Sequence, residues 1–112
     1  MSKSASKHWM QERIVSVVML PLTIAMVWIV GPLIGEDYET VKAALSRPVV
    51  ALILMVFFIV GAKHLQDGIQ VVLEDYVHGS AFQIMTLLNK IFCWLMALVA
   101  FFALLNIAFL GG

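Results

Sequence analysis

The chain has 112 residues, of which 62% are hydrophobic and 12% are charged, whereas a soluble globular domain carries roughly 25% charged residues. This composition argues against a water-soluble globular protein and makes lipid the solvent for most of the chain. The 7 Lys and Arg residues balance the 7 Asp and Glu residues, so there is no basic field to attract nucleic acid, and we expect no nucleic-acid partner.

Three apolar runs predict three transmembrane helices, at residues 14–35, 48–72 and 82–110. The first run, and the uncharged stretch Ile91–Gly112 of the third, each have about the twenty residues that cross a hydrocarbon core roughly 30 Å thick. The middle run begins at Pro48, a favourable residue for the first turn of a helix. A helix from Pro48 to Ala62 rises only about 22 Å, so this span has to continue through the charged residues that follow.

The chain is therefore predicted to be an all-α membrane protein in which residues 1–112 form a single membrane-anchor domain. Gly79 and Ser80 predict a break between the second and third helices, with Ser80 as the N-cap of a helix that begins near Ala81. The first span is too long for the apolar region of a secretory signal peptide, so we expect it to be retained. Three spans leave no room for a soluble catalytic domain.

The distribution of Lys and Arg predicts the orientation in the membrane. Four such residues lie before the first span or between the second and third spans, and two lie between the first and second: Lys3, Lys7, Arg13 and Lys90 against Lys42 and Arg47. Cytoplasmic loops carry the excess of these residues. We therefore expect a cytoplasmic N-terminus, with the loop at residues 36–47 and the C-terminus outside.

The second span contains polar residues that lipid disfavours, so they require partners, a cofactor or a water-filled cavity. Lys63 and Asp67 have the i,i+4 spacing of a helical ion pair. His64, Gly68 and Asp75 form a separate stripe, and a glycine there lets a flat ligand such as haem approach the backbone. This geometry suits an axial imidazole, but the alternative, in which His64 only forms a hydrogen bond across a helix interface, stays open.

The motif His64-x3-Gly68-x6-Asp75-Tyr76, in the second of three spans, resembles the hydrophobic membrane-anchor (D-type) subunits of succinate dehydrogenase, the bacterial respiratory complex II. The resemblance covers nearly the whole chain in length, number of spans and order of motifs. It implies that His64 is one axial ligand of a haem b whose second ligand comes from another anchor subunit. It also implies that Tyr76 and Asp75 contribute to the ubiquinone site and that Arg13 lies near the haem propionates.

The same resemblance implies that the chain belongs to a hetero-oligomeric helix bundle in the bacterial cytoplasmic (inner) membrane. The implied partners are a second anchor subunit of the C type, an iron-sulfur subunit, a flavoprotein subunit and membrane lipid. Electrons would pass from the flavin through iron-sulfur clusters to ubiquinone, and no residue of this chain is expected to be catalytic alone. The alternatives are a haem-free structural anchor or assembly subunit, and a small ion-conducting subunit that uses Lys63, Asp67 and Glu74.

Overall fold

The computed structural model of the chain describes the backbone of residues 3–111 and the side chains of residues 5–111. Its elements are α1 (Lys3–Val30), a 3-10 turn (Gly31–Leu33), α2 (Tyr38–Leu45), α3 (Pro48–Tyr76) and α4 (Ser80–Phe109). Three of these helices, α1, α3 and α4, are long and apolar enough to cross a membrane. Across the described residues no strand is present, so the prediction of an all-α protein with three membrane-spanning helices is confirmed.

The ends of the helices follow from local backbone chemistry. Pro48 occupies the first turn of α3, as the sequence predicts, and α3 ends where Val77 adopts an extended conformation. Gly79 is the N-cap of α4, at a φ of 69°, and no side chain caps this end. The prediction that Ser80 is the N-cap is wrong, because Ser80 is already the first helical residue and glycine takes the left-handed conformation at little cost.

The sequence predicts a loop at residues 36–47, and the structure has helix α2 there instead. Its N-cap is Asp37, whose side chain accepts a hydrogen bond from the Thr40 amide at 2.9 Å. The hydrogen bond with Thr40 lowers the pKa of Asp37 below its ordinary value. At the other end, the Ser46 hydroxyl donates to the Lys42 carbonyl oxygen at 2.6 Å. The connection between α1 and α3 is thus a short capped helix.

Helix α3 lies at the centre of the bundle, packed against α1 on one side and α4 on the other. Leu54, Met55 and Leu104 form the core cluster, to which Met26 of α1 and Leu45 of α2 also pack. Four small side chains of α3 and α4 are buried, and small side chains let membrane helices approach closely. These small buried residues are Ala51, Ala62, Cys93 and Ala97.

Helix α1 is the least covered of the three long helices. None of its most apolar 18-residue segment is buried, in contrast to 22% for α3 and 17% for α4. Its exposed side chains include Val17, Leu20 and Trp28. Lipid is as apolar as these side chains, so their exposure carries no penalty in a membrane.

Candidate functional site

A groove of about 210 Å³ runs between α1 and α3. It is open to the outside of the bundle, and its walls combine apolar and polar residues from both helices. The lining residues are Glu12, Val15 and Ser16 from α1, and His64, Asp67, Gly68 and Val71 from α3. Because α1 and α3 run antiparallel, the N-terminal half of α1 lies beside the C-terminal half of α3, where the sequence places its polar residues.

His64 is exposed in this groove. Its imidazole forms no hydrogen bond with any side chain or backbone group in residues 5–111, so the helix-interface hydrogen bond that the sequence left open is not formed with this chain's own helices. Gly68 follows one turn later in the same groove, and a Cβ placed on it would meet no atom within 4 Å. An imidazole nitrogen beside open space has the donor chemistry of a metal ligand.

Lys63 and Asp67 form the predicted ion pair, with 3.1 Å between the Lys63 Nζ and Asp67 Oδ1 atoms. Their side chains are 37% and 18% exposed respectively. Asp67 lines the groove and Lys63 does not. Across the groove, Glu12 of α1 is paired with His8 at 3.0 Å, so each carboxylate of the groove has a basic partner on its own helix.

Arg13 lies in an adjoining depression lined by Trp9, Glu12, Arg13 and Ser16. Two of these residues, Glu12 and Ser16, also line the His64 groove. The guanidinium carbon of Arg13 lies 5.1 Å from the centre of the Trp9 ring, which is within the range of a cation–π contact. The fold therefore brings Arg13 to the edge of the groove.

Asp75 and Tyr76 lie outside the groove, at the end of α3. Both are exposed, Tyr76 to 79%. Twelve residues of helix separate Tyr76 from His64, a distance of about 18 Å along the axis. The chain thus presents two separate polar positions on α3, one in the groove and one at the helix end.

A polar contact between α3 and α4 was not among the features predicted from the sequence. Asn89, only 7% exposed, donates to the Gln66 carbonyl oxygen at 3.0 Å and accepts from the Cys93 thiol at 3.4 Å. The Gln70 amide donates to the Thr86 hydroxyl at 3.2 Å. Helical spacing of these polar residues within two apolar runs was the signal that could have revealed this contact.

Within the part of the chain that the structure describes, no group of three or more His, Cys, Asp or Glu side chains could hold a metal ion. A metal held by His64 would therefore take its remaining ligands from a cofactor or another subunit. Cys93 is buried and free, and its thiol contacts Asn89 on the same helix.

Comparison with known proteins gives a consistent result. Residues 1–105 match the family described as succinate dehydrogenase/fumarate reductase transmembrane subunit. The chain is 31% identical over 97 residues to the succinate dehydrogenase hydrophobic membrane anchor subunit of Paracoccus denitrificans, covering 87% of this chain and 74% of that protein. It is 28% identical over 89 residues to the succinate dehydrogenase membrane anchor subunit of Reclinomonas americana, covering 77% and 74%. No solved structure matches the chain.

Proposed function

Because the chain belongs to the succinate dehydrogenase/fumarate reductase transmembrane subunit family, it is a membrane-anchor subunit, and we propose that it binds haem b together with a second anchor subunit and contributes to a ubiquinone reduction site. The observation that carries the proposal is the exposed, unbonded imidazole of His64 beside Gly68 in the α1–α3 groove.

The residues of the groove fit a haem. His64 would supply one nitrogen ligand to the haem iron, and Gly68 leaves open space beside the α3 backbone for the group. Arg13, at the edge of the groove, would neutralise the propionate carboxylates through its guanidinium. When bound, haem supplies one-electron redox chemistry. The second ligand would come from the partner anchor subunit of the C type.

Tyr76 and Asp75 would form this chain's part of the quinone site. The Tyr76 hydroxyl would donate a hydrogen bond to a quinone carbonyl oxygen and thereby orient the headgroup. Asp75, its neighbour at the exposed helix end, would hold a proton close to that oxygen. Reduction of a quinone to a quinol consumes two protons, and the end of a transmembrane helix is where water can supply them.

The proposed assembly has the quinone site on the cytoplasmic side of the haem, in a bacterial inner membrane. The antiparallel packing of α1 and α3 puts Tyr76 and the N-terminus of α1 at the same end of the bundle. The Lys and Arg distribution favours a cytoplasmic location for that end. An iron-sulfur subunit docked there would deliver electrons from the flavoprotein subunit, which carries out the succinate chemistry.

The test of this proposal is the absorbance spectrum of the complex co-purified with its partner subunits. The wild-type complex should show a b-type haem, and the His64→Ala variant should lose or perturb that spectrum because one axial nitrogen is removed. The matched control is His78→Ala, which removes an exposed histidine in the connection after α3 and should leave the spectrum unchanged. An unaltered spectrum in His64→Ala would refute the ligand assignment, and a stable complex without haem would support the haem-free anchor instead.

A further inference from the structure

The ion pair of Lys63 and Asp67 brackets His64 on α3, and the two charges are placed unequally about the groove. Asp67 lines the groove that contains His64, whereas Lys63 lies outside that lining. Asp67 is also the less exposed of the two, at 18% against 37%. The anionic member of the pair is therefore the one next to the space beside His64.

The Lys63–Asp67 ion pair caps neither end of α3. Lys63 and Asp67 lie in the interior of α3, which extends from Pro48 to Tyr76. Both charges are costly near hydrocarbon even when they neutralise each other. The energetic cost of these charges, and the placement of Asp67 but not Lys63 in the groove lining, indicate a role for the charge of the pair.

We propose that the Lys63–Asp67 pair tunes the reduction potential of the haem that His64 is proposed to hold, an inference that rests on the proposed function. The Asp67 carboxylate stabilises the more positive, oxidised state of the iron and so lowers the potential. Lys63 acts in the opposite direction from a position outside the groove, and it holds the carboxylate in place at 3.1 Å. Both are positioning and electrostatic residues, without a catalytic part.

The expected effect is large enough to measure. A unit charge about 10 Å from a redox centre, at an effective dielectric constant of about 20, changes the ratio of reduced to oxidised centre by on the order of tenfold. For a one-electron couple a tenfold change corresponds to about 59 mV. Glu12, the other carboxylate of the groove, is paired with His8. It is unchanged in every variant below, so it does not contribute to the differences in midpoint potential between the variants and the wild type.

The experiment is a redox titration of the haem absorbance in the purified complex. Asp67→Asn removes the negative charge and keeps nearly the same side-chain shape. It should raise the midpoint potential by about 59 mV, the shift that corresponds to a tenfold change in the ratio of reduced to oxidised haem. Lys63→Gln removes the positive charge and should lower the potential, by a smaller amount. The matched control is Glu39→Gln on the exposed helix α2, at the opposite end of the bundle, which should leave the potential unchanged.

An exchanged pair separates the effect of charge from the effect of structure. The double variant Lys63→Asp with Asp67→Lys keeps an ion pair at the same spacing but places the cation in the groove. If the pair serves only the stability of α3, the exchange restores wild-type behaviour. If its charge acts on the haem, the exchange raises the potential above that of the wild type, because the nearer charge changes from negative to positive.

Equal potentials in all variants, or shifts of the same sign in Asp67→Asn and Lys63→Gln, would overturn the inference. Haem content and subunit composition are measured in each preparation, and the exchanged pair gives a result even if a single-charge variant fails to assemble. Failure of the proposed function is distinguishable, because it would appear as a wild-type complex without haem or as an unchanged spectrum in His64→Ala. If haem is lost in His64→Ala but its midpoint potential is the same in all Lys63 and Asp67 variants, only the present inference is overturned.

Discussion

At the scale of single residues, the polar groups of α3 differ in whether this chain supplies their partners. Lys63 and Asp67 bind each other within one turn, and Gln70 binds Thr86 of α4. His64 is different, since it forms no hydrogen bond in the described part of the chain. A side chain with strong hydrogen-bonding and ligating capacity is costly to leave unpaired at membrane depth. The unpartnered side-chain oxygens of Gln66 and Gln70 are buried, whereas His64 is exposed in the groove. His64 is therefore the residue best suited to a ligand from outside.

Tyr76→Phe tests the proposed quinone site. Removal of the hydroxyl should lower quinone reductase activity by on the order of 10-fold to 100-fold, because the donor to the quinone oxygen is lost. Succinate oxidation with an artificial electron acceptor should persist. Both activities are measured on the same purified complex.

The matched control for that experiment is Tyr38→Phe, which removes the hydroxyl of another exposed tyrosine, at the start of α2. It should change neither activity. Equal loss of both activities in Tyr76→Phe would contradict a role in quinone binding and would indicate an assembly defect.

At the scale of the helices, the α3–α4 contact includes two part-buried hydrogen bonds, Asn89 to Gln66 and Gln70 to Thr86. Apolar surface provides little driving force for association in lipid, so close packing and polar contacts between helices determine their alignment. Asn89 is the centre of the polar contact because it binds both Gln66 of α3 and Cys93 of its own helix. The Gln66 carbonyl belongs to the turn of α3 that carries His64, so this contact holds the wall of the groove.

Asn89→Ala should therefore lower the stability of the complex by about 1 kcal/mol, the usual size of a hydrogen bond between membrane helices. The measurement is unfolding of the purified complex in detergent, followed by helix content. Asn106→Ala on the same helix provides the control, since Asn106 is exposed and its loss should have little effect. Indistinguishable unfolding of the two variants would show that the buried contact does not hold α3 and α4 together.

At the scale of the whole molecule, the three spans put the start of α1 and the end of α4 on opposite sides of the membrane. The α2 helix and the connection at residues 77–79 also lie on opposite sides, because α3 separates them. The proposed docking of the soluble subunits requires the connection at residues 77–79 to be cytoplasmic. Orientation is therefore the property of the whole chain on which the proposed electron path depends.

Cysteine labelling tests the orientation. In a Cys93→Ser background, a membrane-impermeant maleimide added to intact spheroplasts should label the Glu39→Cys variant and not the His78→Cys variant. After the membrane is permeabilised, both should react, since both positions are exposed. The opposite order of labelling would reverse the proposed topology and separate the Tyr76 end of α3 from the cytoplasm.

Much of the architecture follows from the sequence because lipid imposes simple requirements. Long apolar runs have to form helices that satisfy their own backbone hydrogen bonds, and this predicts α1, α3 and α4. The α2 helix escaped prediction because its eight residues are too few and too polar to stand out from a loop. The Ser80 prediction failed because the adjacent Gly79 takes a positive φ and starts the helix one residue earlier.

Some features of the candidate site follow from local sequence, and others depend on how the helices pack. The spacing of Lys63 and Asp67 alone determined their ion pair, since the α-helix sets the distance between residues four apart. Only the packing of the helices decided that Ser16 of α1 faces His64 and that Asn89 contacts Gln66. Helices that are apolar on nearly every side do not encode in their hydropathy which face meets a neighbour. Their rotation and register come from the fit of side chains between helices, and that fit exists only in the assembled bundle.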